Sequence, residues 1–190
     1  LGIGNGDEVI IPSNSFVATA NVVLLAGATP VFVDIQPNGI NIDPVCIKQA
    51  ITSKTRAVIP VHLSGKPAQM DDILDMCESH NICVIEDAAQ AFGAEFKGKK
   101  AGSMGKTGCF SFHPLKNLSC PGDGGCIVTD DKRLAEKLFL MRNHGLKDRD
   151  TCLFPGYNSR LDAVHAAILK VKLNRYDNIL EKRLKVIALY

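Results

Sequence analysis

Short apolar runs rich in β-branched residues alternate along this chain with segments of helical pattern, and this alternation constrains the fold most strongly. The apolar runs lie at residues 9–11, 30–34, 57–61 and 82–85, and helical patterns lie between them at residues 17–26, 44–51 and 70–80. Strands that are apolar throughout are typical of parallel sheets covered by helices. The sequence therefore predicts an α/β fold with a mostly parallel sheet and helices on both faces.

Local signals support these assignments and extend them to the rest of the chain. Asp43 favours a helix N-cap and Pro44 the first helical position, while Gly27 favours the end of the preceding helix. Further elements are predicted as a hairpin or surface excursion at 94–105, strands at 109–112 and 125–129, a loop at 145–158, and helices at 130–143, 161–173 and 179–190.

Composition narrows the function classes. The 190 residues are 46% hydrophobic and carry a net charge of only +2, which suits one compact domain or most of one. Basic residues are dispersed, so neither a nucleic acid nor an anionic membrane is an expected partner. No apolar run approaches the roughly 18 residues of a membrane-spanning helix.

The seven cysteines indicate a reducing environment. Their number is odd, no CxxC pair occurs, and Cys83 lies inside an apolar run. Buried, reduced thiols are the expected state, which predicts a cytoplasmic protein with no zinc site.

Lys116 lies in the segment Ser111-Phe112-His113-Pro114-Leu115-Lys116-Asn117, just past an apolar strand. A lone lysine is usually a solvated surface residue. At the carboxyl end of a parallel strand, however, ligands commonly bind, and an amine there is suited to form a Schiff base with a cofactor aldehyde. Pyridoxal 5′-phosphate (PLP) chemistry requires such an amine.

Asp87 ends another apolar strand, in Glu86-Asp87-Ala88-Ala89-Gln90. The structural interpretation is a helix N-cap. The functional interpretation is a carboxylate that pairs with a protonated pyridine nitrogen. Glu86 points to the opposite face of the strand and is expected to be structural.

Three other residues each have a structural and a functional interpretation. Gln90 is either a polar helix residue or a hydrogen-bond partner of the cofactor's phenolic oxygen. Ser111 is either an ordinary strand hydroxyl or a phosphate ligand. Phe16 is either a core residue or an aromatic ring that stacks on the pyridine.

These segments together resemble the DegT/DnrJ/EryC1/StrS family of PLP-dependent nucleotide-sugar aminotransferases. Matching motifs include Gly6-Asp7-Glu8-Val9-Ile10-Ile11-Pro12, the Glu86 and Ser111 segments, and Gly122-Asp123-Gly124-Gly125. Other matching segments lie at residues 16–21, 26–34, 41–44, 59–63, 142–145 and 156–161. The resemblance spans essentially the whole chain.

The resemblance implies the large domain of the fold type I (aspartate-aminotransferase-like) enzymes and a homodimer. Lys116 matches the Schiff-base lysine and Asp87 the partner of the pyridine nitrogen. Gln90 matches the residue at the ring hydroxyl, Ser111 matches a phosphate ligand and Phe16 matches the stacking aromatic residue. Asn158 matches a residue that reaches the cofactor phosphate of the partner subunit.

The implied function is transfer of an amino group, with glutamate as the expected donor, to a nucleotide-linked keto-deoxysugar for surface polysaccharide or other aminosugar biosynthesis. The Pro-x-Lys-Asn-Leu and Gly-Asp-Gly-Gly segments resemble those of 3-keto sugar aminotransferases more than those of 4-keto ones, which implies C3 of the sugar. A PLP-dependent sugar dehydratase is an alternative, although such members carry His where this chain has Lys116. An inactive fragment or binding module is another.

The expected domains are residues 1–173, an N-terminally incomplete PLP-binding large domain, and residues 174–190, the start of a helix leading to a small C-terminal domain. Residues 1–7 are typical of a helix end followed by a turn, so we expect the chain to begin inside a longer protein. The family's upstream phosphate-binding turn would precede Leu1.

Overall fold

The computed structural model describes residues 1–189 and confirms an α/β fold. Its elements along the chain are β1 (Glu8–Pro12), α1 (Val17–Leu25), β2 (Thr29–Val33), α2 (Pro44–Ala50), β3 (Thr55–Val58), α3 (Met70–Ser79), β4 (Cys83–Asp87), β5 (Glu95–Phe96), β6 (Lys99–Lys100), β7 (Thr107–Ser111), β8 (Gly125–Val128), α4 (Lys132–Met141), α5 (Ala163–Leu173) and α6 (Tyr176–Ile187). The predicted turn near the start of the chain lies at residues 5–6.

Six strands form one sheet in the order β2-β1-β3-β4-β7-β8. The four pairings from β2 across to β7 are all parallel. Strands β5 and β6 form the predicted hairpin, which is antiparallel. The mostly parallel sheet is therefore confirmed.

The two faces of the sheet bury separate cores, as β1 shows. Ile10 packs into one core with Ile47 of α2 and Ile73 of α3. Its neighbours on the strand, Val9 and Ile11, belong to the other core, which α1 covers through its buried Val23. Because successive strand residues face opposite ways, a strand buried on both faces is apolar throughout. This confirms helices on both faces.

Several element ends differ from the sequence prediction. Strand β3 ends at Val58, three residues early, although the Ile59 N–H still bonds to the Ile10 carbonyl at 2.9 Å. Pro60 follows and has no N–H to continue a ladder. Helix α6 begins three residues before its predicted start and ends at Ile187, and its predicted terminal residue, Tyr190, lies outside the described residues.

The chain divides into two compact units. One comprises Leu1–Phe110 with Ile127–Ala135, and the other comprises Ser111–Cys126 with the chain from Glu136 onward. The domain boundary predicted at residue 173 stays a prediction.

Two further findings concern the cysteines and the helices. Within residues 1–189 no disulfide joins any of the cysteines, and burial raises the pKa of Cys77 to about 12, which keeps this thiol protonated. None of the helices in the described part of the chain has the length and apolar character needed to cross a membrane.

Candidate active site

Asp87 lies at the carboxyl end of β4, where it pairs in register with Cys109 of β7. Its side chain is half-buried and holds two hydrogen bonds. The Thr19 hydroxyl donates to Oδ2 at 2.9 Å, and the Ala89 backbone N–H donates to Oδ1 at 3.1 Å. An ionised carboxylate has about four lone-pair positions, so each oxygen keeps capacity for a further donor.

No helix begins directly after Asp87, so the N-cap interpretation is wrong. The Ala88 N–H bonds to the Cys109 carbonyl at 2.9 Å and continues the strand pairing. Ala88 and Ala91 are fully buried and pack with Phe110. These tertiary contacts override the helical preference of the alanines, and Asp87 instead closes a local turn onto Ala89.

Gln90 is fixed by the loop that follows β3. Its Oε1 accepts the Ser64 backbone N–H at 2.7 Å. Ser64 has the left-handed backbone conformation, with φ of 54° and ψ of 23°. Because the amide oxygen faces Ser64, the amide NH₂ faces away and keeps two donors for a bound oxygen.

Phe16 immediately precedes α1 and is 70% exposed, so the core interpretation is wrong. Its ring is accessible to a flat ligand. Thr19, three residues further on, is 4% exposed and reaches Asp87. Within the unit containing Leu1–Phe110, the structure thus brings Asp87 to Thr19 and Gln90 to Ser64.

Lys116 and Ser111 lie in the second unit. Ser111 ends β7, and its Oγ accepts the His113 N–H at 3.3 Å. The Lys116 N–H donates to the His113 carbonyl at 2.8 Å, which closes a tight turn, and the Lys116 side chain is half-buried. Ser119 lies three residues beyond Lys116, and its carbonyl accepts from Lys172 Nζ of α5 at 2.6 Å. The lysine-bearing turn is thereby anchored at both ends.

Asn158 lies in the same unit and is exposed. Its Oδ1 accepts from Arg160 Nε at 3.0 Å, and its backbone forms an isolated bridge with Asn143. The Asn143 side chain also accepts from Arg160, at 3.1 Å. This arrangement leaves the Asn158 amide NH₂ as the outward donor.

Glu86 is fully buried and structural, as expected from its place on the strand. Its carboxylate accepts from His62 Nε2 at 2.9 Å and from the backbone N–H groups of Gly102, Met104 and Gly105 at 2.6–2.7 Å. Burial raises the pKa of Glu86, but these hydrogen bonds outweigh it and hold the pKa below its usual range.

Sequence reasoning missed both His62 and Thr19. His62 is fully buried, and its Nδ1 accepts the Ala68 N–H at 3.1 Å, so the ring proton is on Nε2 and points at Glu86. Thr19 had one local signal, its spacing of four residues from Ser15 at the start of a helix.

Residues 1–189 contain no cluster of three or more His, Cys, Asp or Glu that could hold a metal ion.

Known proteins resemble the chain closely over its whole length. The model of the DegT/DnrJ/EryC1/StrS aminotransferase family matches residues 1–190. A pleiotropic regulatory protein of Geobacillus stearothermophilus is 50% identical over 189 residues, which are 100% of this chain and 51% of that protein. The dTDP-3-amino-3,4,6-trideoxy-alpha-D-glucose transaminase of Streptomyces venezuelae is 44% identical over 190 residues, 100% of this chain and 50% of the enzyme.

A solved structure is also similar to this chain. DesV of S. venezuelae, in complex with a ketimine intermediate, matches with a TM-score of 0.90 and 45% identity, over 93% of this chain and 48% of that one. The structure of 3-amino-5-hydroxybenzoic acid (AHBA) synthase matches with a TM-score of 0.87 and 31% identity, over 93% of this chain and 47% of that one. These two structures confirm the expected fold type I architecture. The chain spans about half the length of the curated relatives it matches. It belongs to the DegT/DnrJ/EryC1/StrS aminotransferase family.

Proposed function

We propose that the protein is a PLP-dependent aminotransferase that moves an amino group from an amino acid, with glutamate as the donor, to a nucleotide-linked keto-deoxysugar. The observation that carries the proposal is the Asp87 carboxylate, held by Thr19 and Ala89 with free acceptor capacity, in a chain that also has Lys116. Dehydratases of this family carry His at the lysine position, so Lys116 favours transamination.

The residues present fit PLP. An acceptor-only carboxylate suits the protonated pyridine nitrogen, which gives Asp87 its role. The outward NH₂ of Gln90 suits the phenolic oxygen, and the exposed ring of Phe16 suits the flat face of the pyridine. For the phosphate we propose Ser111, with Asn158 of a second subunit.

When bound, PLP supplies the electron sink that allows the Cα–H bond of an amino acid to ionise. The chain's own groups perform the remaining tasks. Lys116 would hold the cofactor covalently at its aldehyde, and its Nζ, once released, would take the proton from Cα. Asp87 would keep the pyridine nitrogen protonated throughout.

The substrate class rests on the relatives. The S. venezuelae relative is named as a dTDP-3-amino-sugar transaminase, and a Pseudomonas aeruginosa relative, 47% identical over 190 residues, is named as a UDP-2-acetamido-2-deoxy-3-oxo-D-glucuronate aminotransferase. The first name has an amino group at C3 of a nucleotide sugar, and the second has an oxo group at C3. We therefore propose a 3-keto sugar as substrate, and surface polysaccharide or other aminosugar biosynthesis as its destination.

The assembly and location complete the proposal. A homodimer would let Asn158 of one subunit reach the phosphate of the other. The absence of any disulfide among residues 1–189 supports a cytoplasmic location. We retain residues 1–173 as the proposed PLP-binding domain and 174–190 as the lead into a small C-terminal domain.

The test uses the full-length gene product with PLP, beside Lys116→Ala and the control Lys147→Ala, which changes an exposed lysine of the same unit. We expect a near-visible absorbance band in the wild type and the control only. Borohydride reduction followed by peptide mass spectrometry should place the cofactor mass on Lys116.

Activity is then followed with glutamate and nucleotide 3-keto sugars. One 2-oxoglutarate per aminosugar supports the aminotransferase. Loss of water from the sugar without consumption of glutamate would instead identify a dehydratase. A full-length protein that never carries the cofactor on Lys116 contradicts the proposal and favours a binding module.

A further inference from the structure

We propose that Thr19 is a positioning residue that aims the Asp87 carboxylate, as the end of a directed hydroxyl chain that begins at Ser15. This inference rests on the function proposed above. The chain consists of two hydrogen bonds, Ser15 Oγ to Thr19 Oγ1 at 2.8 Å and Thr19 Oγ1 to Asp87 Oδ2 at 2.9 Å. It joins the start of α1 to the end of β4, 68 residues away in sequence.

The direction of the chain follows from proton counting. An ionised carboxylate only accepts, so the single hydroxyl proton of Thr19 points at Asp87. Thr19 Oγ1 can then only accept from Ser15, which makes the Ser15 hydroxyl the donor. Each hydroxyl therefore has one orientation while Asp87 is ionised.

Burial gives this chain its effect. Thr19 is 4% exposed, whereas Ser15 and Asp87 are half-buried. A hydrogen bond shielded from water is stronger than an exposed one, and one that involves a charged group is stronger again. With Ala89 N–H fixing Oδ1, Thr19 fixes Oδ2, so the carboxylate plane is held at both oxygens. The remaining lone pairs then keep a constant direction.

An aimed carboxylate would matter most at proton transfer from Cα, because the pyridine nitrogen has to stay protonated for the ring to take up the electrons of the Cα–H bond. Loss of the Thr19 hydroxyl should therefore slow the chemical step more than it weakens binding of the amino acid. A residue that only supported the fold would lower stability without separating these two quantities.

The test compares full-length Thr19→Val, Thr19→Ser and the control Thr52→Val. Thr52 is exposed and also donates its hydroxyl to a carboxylate, that of Glu8, at 2.6 Å. We expect Thr19→Val to lower the rate of the glutamate half-reaction about tenfold, with less than about a threefold change in KM. Thr19→Ser should restore the rate, and Thr52→Val should match the wild type.

A second readout needs no cofactor. In the cofactor-free protein, the Ala89 amide should exchange hydrogen faster in Thr19→Val, because its acceptor is no longer held. Thr19→Ser and Thr52→Val should keep the slow exchange of the wild type.

Each outcome decides the inference. If the wild type carries PLP on Lys116 but Thr19→Val matches Thr52→Val in rate and exchange, the role of Thr19 is overturned and the proposed function stands. If the wild type never carries PLP on Lys116, both fail. If Thr19→Val does not fold, Ser15→Ala decides, with a rate about threefold lower supporting the chain and an unchanged rate overturning it.

Discussion

The buried carboxylate of Glu86 provides the sharpest prediction on stability, through the substitution Glu86→Gln. This change keeps the size of the side chain but replaces one acceptor oxygen by an NH₂ group. Oε2 accepts from His62 and Gly102, and Oε1 accepts from Met104 and Gly105, so all four neighbours are donors. A glutamine NH₂ therefore opposes two donors whichever way it turns.

The magnitude follows from counting the donors that lose an acceptor. If the NH₂ replaces Oε1, the Met104 and Gly105 N–H groups are orphaned. If it replaces Oε2, the Gly102 N–H is orphaned. His62 can accept from the NH₂ only by moving its proton to Nδ1, which then opposes the Ala68 N–H. Either way two donors are lost, at about 1–3 kcal/mol each, so the expected loss is about 2–6 kcal/mol.

The assay is urea denaturation of the full-length protein followed by circular dichroism, with Glu95→Gln as the control. Glu95 is an exposed residue of the hairpin that pairs with Lys100, and its change should leave the midpoint nearly unchanged. Hydrogen exchange over residues 101–106 should quicken only in Glu86→Gln. A loss below about 1 kcal/mol at unchanged m would refute the reasoning, because it would mean that the donors find other acceptors.

Three further predictions concern the acid stability of the fold, one helix cap and one glycine. Because the pKa of Glu86 is lowered in the folded state, the ionised side chain stabilises the fold at pH values above the unfolded pKa. This stabilisation is lost as the pH falls through the folded pKa. Acid unfolding should therefore steepen below about pH 4, and the effect should be weaker in Glu86→Gln. Asp43→Ala removes the acceptor for the Val45 N–H and should cost about 1 kcal/mol, measured by urea denaturation. Gly102→Ala should lower Tm, because φ is +86° and a Cβ would collide with the ring of Phe110.

Local chemistry made much of the fold predictable. The alternation of apolar runs and helical patterns located the strands β1 to β4, because a strand buried on both faces has to be apolar throughout. The predicted cap of α2 forms as expected, since Asp43 accepts from a backbone N–H two residues away. Signals of this kind act over a few residues, so the sequence carries them directly.

The candidate site was predictable only as a set of residue types. The sequence predicts Lys116 and Asp87 as site residues because they follow apolar strands and have the chemistry that PLP requires. The hydrogen-bond partners of the residues in and beside the site were not predictable. Glu86 meets His62 and the 102–105 loop because the register of the parallel strands brings them together.

The sequence by itself determined the α/β class, most element positions and the chemical nature of the candidate site residues, because these depend on periodicity and on side-chain type. Only the tertiary structure decided that Thr19 reaches Asp87, that Gln90 turns toward Ser64 and that no helix begins directly after Asp87. These outcomes depend on which groups meet across the sheet, and a buried donor or acceptor takes the partner that packing brings within reach.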